Sequence, residues 1–213
     1  MMKPVLHPGG LELTKENCKN LPLDNSSKVL DIGCGLGTTL EYLVSAFHCQ
    51  AYGIDLSEAC ISSDSVEYPD IRFSVGNACD LPYEDEMFDA VFMECVLTLT
   101  DDPAKALSED FRVLKPGGTL VLSSLTHTGD KELLLPGTFQ VEVCEDLLHT
   151  AGFSAVTVSN HSSHLIQFVA DMIFRYGSID AYLRKSTCTL GGTVLNCNLS
   201  PKNTRYHSFL AVK

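Results

Sequence analysis

The segment Asp31-Ile32-Gly33-Cys34-Gly35-Leu36-Gly37 leaves the backbone few choices. It follows the apolar run Lys28-Val29-Leu30 and leads into Thr38-Thr39-Leu40-Glu41-Tyr42-Leu43. A strand must end there, turn tightly and give way to a helix. Glycines at alternate positions open conformations closed to other residues and let the backbone approach a bound molecule. Farther on, Gly53-Ile54-Asp55 closes a second apolar run with a carboxylate. A glycine turn after one strand and an acid at the end of the next is the layout of a nucleoside site at the carboxyl edge of an open α/β sheet.

Spacing narrows the ligand. Dinucleotide-binding loops read Gly-x-Gly-x-x-Gly. Here Gly33, Gly35 and Gly37 are each two apart, and Asp31 stands two before the first. Asp31 would repel a pyrophosphate and attract an amino group. The loop therefore suits a cationic or zwitterionic nucleoside, and a nicotinamide-dependent oxidoreductase is disfavoured.

Strand-like and helix-like runs alternate along the chain. Strands are expected at 28–32, 50–54, 71–75, 88–93 and 119–124, with helices at 38–47, from Asp55 toward Ser65, and at 103–114. Pro116-Gly117-Gly118 reads as a helix stop and a turn into the fifth strand. A helix over 141–151 ends at Gly152, strands follow at 155–158 and 206–213, and the last is expected to run antiparallel. Repeated β-α units with near-continuous apolar strands predict a mostly parallel sheet covered on both faces. Between the last two strands, 163–185 carries a helical apolar period that breaks near Gly177, and 186–202 reads as loop. This stretch is expected to be a helix on the sheet edge, an acceptor cover or a dimer face.

The 213 residues suit a single domain, 1–213. The net charge of −12, from 27 acidic and 15 basic residues, sets a field that repels nucleic acid and anionic membrane. No apolar run is long enough to span a bilayer, and no hydrophobic leader follows Met1-Met2-Lys3-Pro4, so no membrane insertion and a cytoplasmic location are expected. The nine cysteines include no Cys-x-x-Cys pair. They read as buried small apolar residues rather than a disulfide framework or a zinc knot, and no metal is expected.

Five stretches carry a resemblance: Val29-Leu-Asp-Ile-Gly-Cys-Gly-Leu-Gly37, Gly53-Ile-Asp-Leu-Ser57, Gly76-Asn-Ala-Cys-Asp-Leu-Pro82, Phe88-Asp-Ala-Val91 and Arg112-Val-Leu-Lys-Pro-Gly-Gly118. In order and spacing they resemble class I S-adenosylmethionine-dependent methyltransferases of the ubiquinone/menaquinone-biosynthesis-like, small-molecule type, over about residues 25–125. The resemblance implies a Rossmann-like α/β fold, a seven-stranded, mostly parallel sheet of order 3-2-1-4-5-7-6 with helices on both faces, to which the residues themselves add a helical and loop insertion at 161–204. It also implies S-adenosyl-L-methionine as cofactor and S-adenosyl-L-homocysteine as product.

On that resemblance Asp31 should hold the methionine amino group, while Gly33, Cys34, Gly35 and Gly37 give close backbone access. Asp55 should accept both ribose hydroxyls, a task suited to a carboxylate. Ile54 and Leu56 would flank the adenine, and Asn77-Ala78 would read its edge. Asn77 stands where the family often has aspartate. Asp80 is expected to position the loop.

The acceptor is expected to be a small molecule. Methyl transfer needs in-line placement and desolvation, and a base only where the acceptor arrives protonated. Glu94 and Cys95 follow the fourth strand, where cofactor and acceptor should meet; Glu94 is a candidate for positioning either one. His127 after the fifth strand is the leading base candidate. His161 and His164 flank the insertion, and His7-Pro8-Gly9-Gly10 is expected either to fold over the cofactor or to form a flexible leader. Alternative readings are a non-catalytic S-adenosylmethionine-binding protein acting through partners and an arsenite-methyltransferase-like activity. Monomer and homodimer both remain open.

Overall fold

In the computed structural model, which describes residues 7–128, 137–178, 181 and 203–213, the alternation within each strand sorts the core into two layers. The strands are β1 (Lys28–Ile32), β2 (Gln50–Asp55), β3 (Arg72–Val75), β4 (Phe88–Glu94), β5 (Leu114–His127), β6 (Ala155–Asn160) and β7 (Thr204–Val212). The helices are α1 (Gly10–Cys18), α2 (Thr38–Phe47), α3 (Glu58–Glu67), α4 (Pro103–Val113), α5 (Val141–Ala151) and α6 (Ser162–Tyr176). Val29, Ala90, Phe92 and Val121 pack with Leu40 and Leu43 of α2 and Cys18 of α1. Leu30, Val91, Met93 and Leu122 face the opposite way, onto Leu107 of α4 and Leu148 of α5. Phe92 is fully buried, and a core phenylalanine of this kind contributes about 3–5 kcal/mol against alanine.

The sheet order is β3-β2-β1-β4-β5-β7-β6. Strands β1 to β5 are parallel neighbours, and β7 runs antiparallel between β5 and β6. The expected seven-stranded order holds. Helix α4 starts on a cap of the expected chemistry: Asp102 accepts from the Lys105 amide at 3.0 Å, and Pro103 opens the first turn.

Three local expectations change. Strand β5 is longer than 119–124, because β7 pairs with it from Thr119↔Val212 to His127↔Thr204. Pro116-Gly117-Gly118 does not separate helix from strand: it loops out as a bulge inside β5, with Phe88 opposite Leu114 and Ala90 opposite Thr119. The Gly117 amide donates to the Lys213 carbonyl, and the Lys213 amide to that of Gly118. The segment around His7 is also built in: α1 follows it, and His7 is buried. Residues 186–202, expected to loop, lie outside the described residues.

Helix α6 ends at Gly177, as its apolar period predicts. Its inner residue Leu165 packs with Leu13 and Tyr206, while Ile166 and Phe174 are exposed. Among the described residues no helix is long and apolar enough to cross a membrane.

Candidate functional site

Register places three carboxylates on one face of the sheet. Asp31 lies level with Gly53 of β2 and Phe92 of β4. Side chains two apart on a strand share a face, so Asp55 and Glu94 project on the same side as Asp31, each one step nearer the carboxyl edge. The Asp31 side chain is 4% exposed, and no hydrogen-bond donor reaches its carboxylate among the described residues. Burial, then the charges of Glu94 and Asp55, hold its pKa well above the ordinary aspartate range. A buried acid flanked by two others is costly without a cation against it.

The glycine turn sits directly above. Gly33, Gly35 and Gly37 all have positive φ, between 52° and 70°. The Gly33 and Cys34 amides both donate to the Ile54 carbonyl, which ties the loop to the end of β2. A Cβ on Gly33 would lie 2.3 Å from Val96, whereas one on Gly35 would meet nothing closer than 4.0 Å. The loop is thus packed from beneath at Gly33 and open at Gly35, as a cradle for a ligand must be. The Cys34 side chain is buried, so only its backbone faces the edge.

Asp55 is locked in place. Its Oδ2 accepts from the Gly35 amide at 3.0 Å and its Oδ1 from the Ser57 amide at 2.8 Å. Each oxygen keeps a second acceptor position, so two further donors fit the same carboxylate. Beyond it Leu56 is 58% exposed, beside a half-exposed Val75, a ledge suited to a flat apolar ring. Ile54, expected to share that task, is buried in the core and packs against Gly76. Asn77 is exposed, and its Oδ1 accepts from the Cys79 amide. That bond closes a turn and leaves the amide NH2 of Asn77 as a free donor. Ala78 is buried beneath it.

Glu94, expected to position acceptor or cofactor, is held by partners from three segments. Thr14 Oγ1 donates at 3.0 and 3.2 Å to its two oxygens, and Thr39 Oγ1 at 3.1 Å to Oε2. His7 Nε2 lies 3.3 Å from Oε2, close enough for an ion pair but not aligned as a hydrogen bond. Burial raises the pKa of Glu94, but His7 and the two threonines outweigh it, and the net shift is downward. A depressed, fully engaged carboxylate is a poor proton acceptor. It binds α1 and α2 to the edge of the sheet. Burial lowers the pKa of His7, the Glu94 carboxylate beside it and the Pro8 carbonyl on Nδ1 more than offset this, and the net shift is upward.

His127 is not brought to the carboxylates. It lies within β5, buried, with Nδ1 2.9 Å from Thr138 Oγ1. Ser123 is level with Glu94, so His127 stands about 13 Å farther along the strand at ~3.3 Å per residue. His161 and His164 converge with Glu16 of α1. Cys95, just past β4, has φ +59°, unusual for a residue with a side chain, and its amide donates to the Ser123 carbonyl. Its thiol reaches the hydroxyl of buried Tyr206, which also pairs with Ser123 Oγ at 2.8 Å.

The opposite edge of the sheet has a cleft lined by Leu21, Pro22, Asp89, Lys115 and Gly117, of about 120 Å³. Ligand pockets run to roughly 300–1,000 Å³, and this cleft holds the Asp89–Lys115 ion pair that joins the starts of β4 and β5.

A family model described as "Methyltransferase domain" matches residues 30–122, the segment from β1 into β5 that carries Asp31, Asp55 and Glu94. A demethylmenaquinone methyltransferase of Renibacterium salmoninarum is 38% identical over 100 residues, 47% of this chain and 42% of that protein. Over this segment the chain is similar to methyltransferase domains. An uncharacterised protein of Haemophilus influenzae is 35% identical to this chain over 153 residues, 68% of this chain and 58% of the relative. The chain therefore spans about half the length of these two relatives. The structure of Haemonchus contortus phosphoethanolamine N-methyltransferase 2 with phosphomonomethylethanolamine and S-adenosylhomocysteine superposes with a TM-score of 0.77 at 22% identity. It covers 99% of this chain and 54% of that one, a likeness of fold.

S-adenosylmethionine, the cofactor of such domains, fits the residues here: an unpaired buried acid, an open glycine cradle and a carboxylate with two spare acceptor positions. Three converging thiols for an arsenite acceptor are absent among the described residues. Five of the described cysteines are buried. Burial pushes the Cys18 and Cys144 thiols up to about 12 and that of Cys49 to about 11.

Proposed function

We propose that this chain transfers the methyl group of S-adenosylmethionine to a small-molecule acceptor by in-line displacement. The observation that carries the reading is Asp31: a buried, unpaired carboxylate flanked by Asp55 and Glu94, at the mouth of an open glycine turn. Such a place is stabilised by a ligand with net positive charge, and the ammonium and sulfonium of S-adenosylmethionine outnumber its one carboxylate.

In this reading Asp31 holds the amino group and Asp55 accepts from the two ribose hydroxyls. Leu56 and Ala78 bound the adenine, and the free Asn77 amide NH2 donates to a ring nitrogen. Beside the Cys79 amide, Asn77 Oδ1 keeps a second acceptor position, open to the exocyclic amino group. Gly35 leaves the space that any side chain would fill. The cofactor supplies a methyl carbon on a sulfonium, which the acceptor's lone pair attacks as the carbon–sulfur bond breaks and its electrons return to sulfur.

The chain's own residues then act by placement. Glu94, through Thr14, Thr39 and His7, draws the N-terminal segment over the edge and excludes water. Cys95 and Tyr206 form the wall past β4 where an acceptor would lie. Neither Glu94 nor His127 is positioned to take a proton there, which favours an acceptor already nucleophilic at neutral pH, for which alignment supplies much of the rate.

The test is incubation of the full chain with methyl-labelled S-adenosylmethionine and fractionated small-molecule extracts. Labelled product formed with stoichiometric S-adenosylhomocysteine, and lost in Asp31→Ala, is the expected result. Tight cofactor binding without transfer to any fraction would leave a cofactor-binding protein acting through partners and refute the enzyme reading.

A further inference from the structure

We propose that Glu16, His161 and His164 form a site for a divalent transition-metal ion where α1, α6 and β7 meet. One ligand atom from each of the three lies within 4.8 Å of the others. Two imidazoles with one carboxylate is a ligand set that Zn2+ and Fe2+ accept, whereas Mg2+ and Ca2+ prefer oxygen throughout. Three protein ligands leave at least one position for water or a bound molecule.

The fold presets the arrangement. His161 caps α6 and His164 follows three residues later, so both project from one side of the first turn. Their ring centroids are 6.0 Å apart with planes tilted by 35°. The His161 amide donates to the Tyr206 carbonyl at 2.7 Å, and its Nε2 pairs with Ser208 Oγ at 2.9 Å. Ligand histidines are commonly held by their second ring nitrogen in this manner, and here Nδ1 is the atom left over. Across the gap, α1 presents Glu16. No other hydrogen bond or ion pair engages the side chains of Glu16 or His164 among the described residues. His161 is buried, His164 half-buried and Glu16 exposed, so an ion has protein on one side and an entry path on the other. The start of a helix opposes a cation, but the Glu16 charge and the net charge of −12 favour one. A bound ion would clamp α1, which carries Thr14 to Glu94, onto the start of α6.

The experiment uses the full chain, stripped with chelator, kept reduced with a phosphine, and titrated with ZnCl2 by calorimetry and with Co2+ by absorption. One equivalent of Zn2+ should bind, and Co2+ should give visible d–d bands without a near-ultraviolet thiolate band. Affinity should fall at least about tenfold in Glu16→Gln and in His164→Ala, each checked for folding by circular dichroism, and stay unchanged in His149→Ala. At a hundredfold excess over Kd the ion should raise Tm by about 5–10 °C. Absence of stoichiometric binding, a thiolate band, or full affinity retained in both variants would overturn the site.

Discussion

Replacing Asp31 with asparagine should stabilise the ligand-free protein while weakening its grip on the cofactor. The wild-type carboxylate is buried with two acids nearby and no donor among the described residues. An amide of the same shape removes the charge but keeps the polarity, a gain of about 1–3 kcal/mol. For a chain of this size that is a rise in Tm of roughly 3–10 °C. The sign of the pH dependence follows from the raised pKa. Well below the ordinary value of 3.8 the carboxyl is protonated folded and unfolded, and the variant gains nothing from removing a charge. As pH rises from there through the folded value, the unfolded state ionises first and the wild type loses stability against the variant. Above that range the difference is constant. In binding the order reverses: losing a charge-assisted hydrogen bond to the amino group, worth ~1.5–3 kcal/mol, weakens Kd by roughly 10–150-fold. Thermal denaturation across pH, with and without S-adenosylhomocysteine, measures both halves. A variant less stable than wild type at neutral pH without ligand, or one equally stabilised by ligand, would refute the reasoning.

Asp55→Ala should weaken cofactor affinity at least about tenfold and loosen the glycine turn, since Gly35 and Ser57 lose their acceptor; calorimetry and amide exchange at Gly35 report the two effects. Gly33→Ala and Gly35→Ala should separate fold from function. The first drives a Cβ into Val96 and costs stability, while the second has space, pays about 1–2 kcal/mol for its left-handed backbone and chiefly blocks the ligand; equal losses of Tm in the two would contradict this. The His7–Glu94 pair should give a stability increment, relative to His7→Ala, that is complete below the ordinary histidine value of 6.5 and fades as pH rises through the raised folded value. On the acid side it should fade below the ordinary glutamate value of 4.5, as pH falls through the lowered Glu94 value. Denaturation midpoints from pH 4 to 9 would show it, and an increment independent of pH would exclude the pair.

What was legible in the sequence is what is local or carried by the family pattern. Asp31, the glycines and Asp55 stand at strand ends beside their own turns, so residue order alone places them on one edge. The strand order came from the resemblance, since periodicity does not reveal which strands pair. Ile54 was assigned to the adenine alongside Leu56, although Asp55 between them already points to the ligand; alternation along β2 turns Ile54 into the core. The surroundings of Glu94 were hidden, because Thr14 and Thr39 reach it from 80 and 55 residues away. Thr38-Thr39 at the start of α2 was visible, but nothing local tied it to an acid on β4. His127 was placed beyond a strand that in fact continues through it, because Ser123-Ser124 ended the apolar run while pairing with β7 carried the strand onward. The convergence of Glu16 with His161 and His164 depends on how α1 docks against α6, which spacing along the chain does not encode.

The most direct measurement is calorimetric titration of the full chain with S-adenosylmethionine and S-adenosylhomocysteine, with NADH as the control nucleotide. The three-carboxylate edge predicts one site per chain, both sulfur ligands bound and NADH ignored, because a pyrophosphate cannot sit against Asp31. Folded protein that binds neither sulfur ligand, or that binds NADH instead, would contradict the account at its centre.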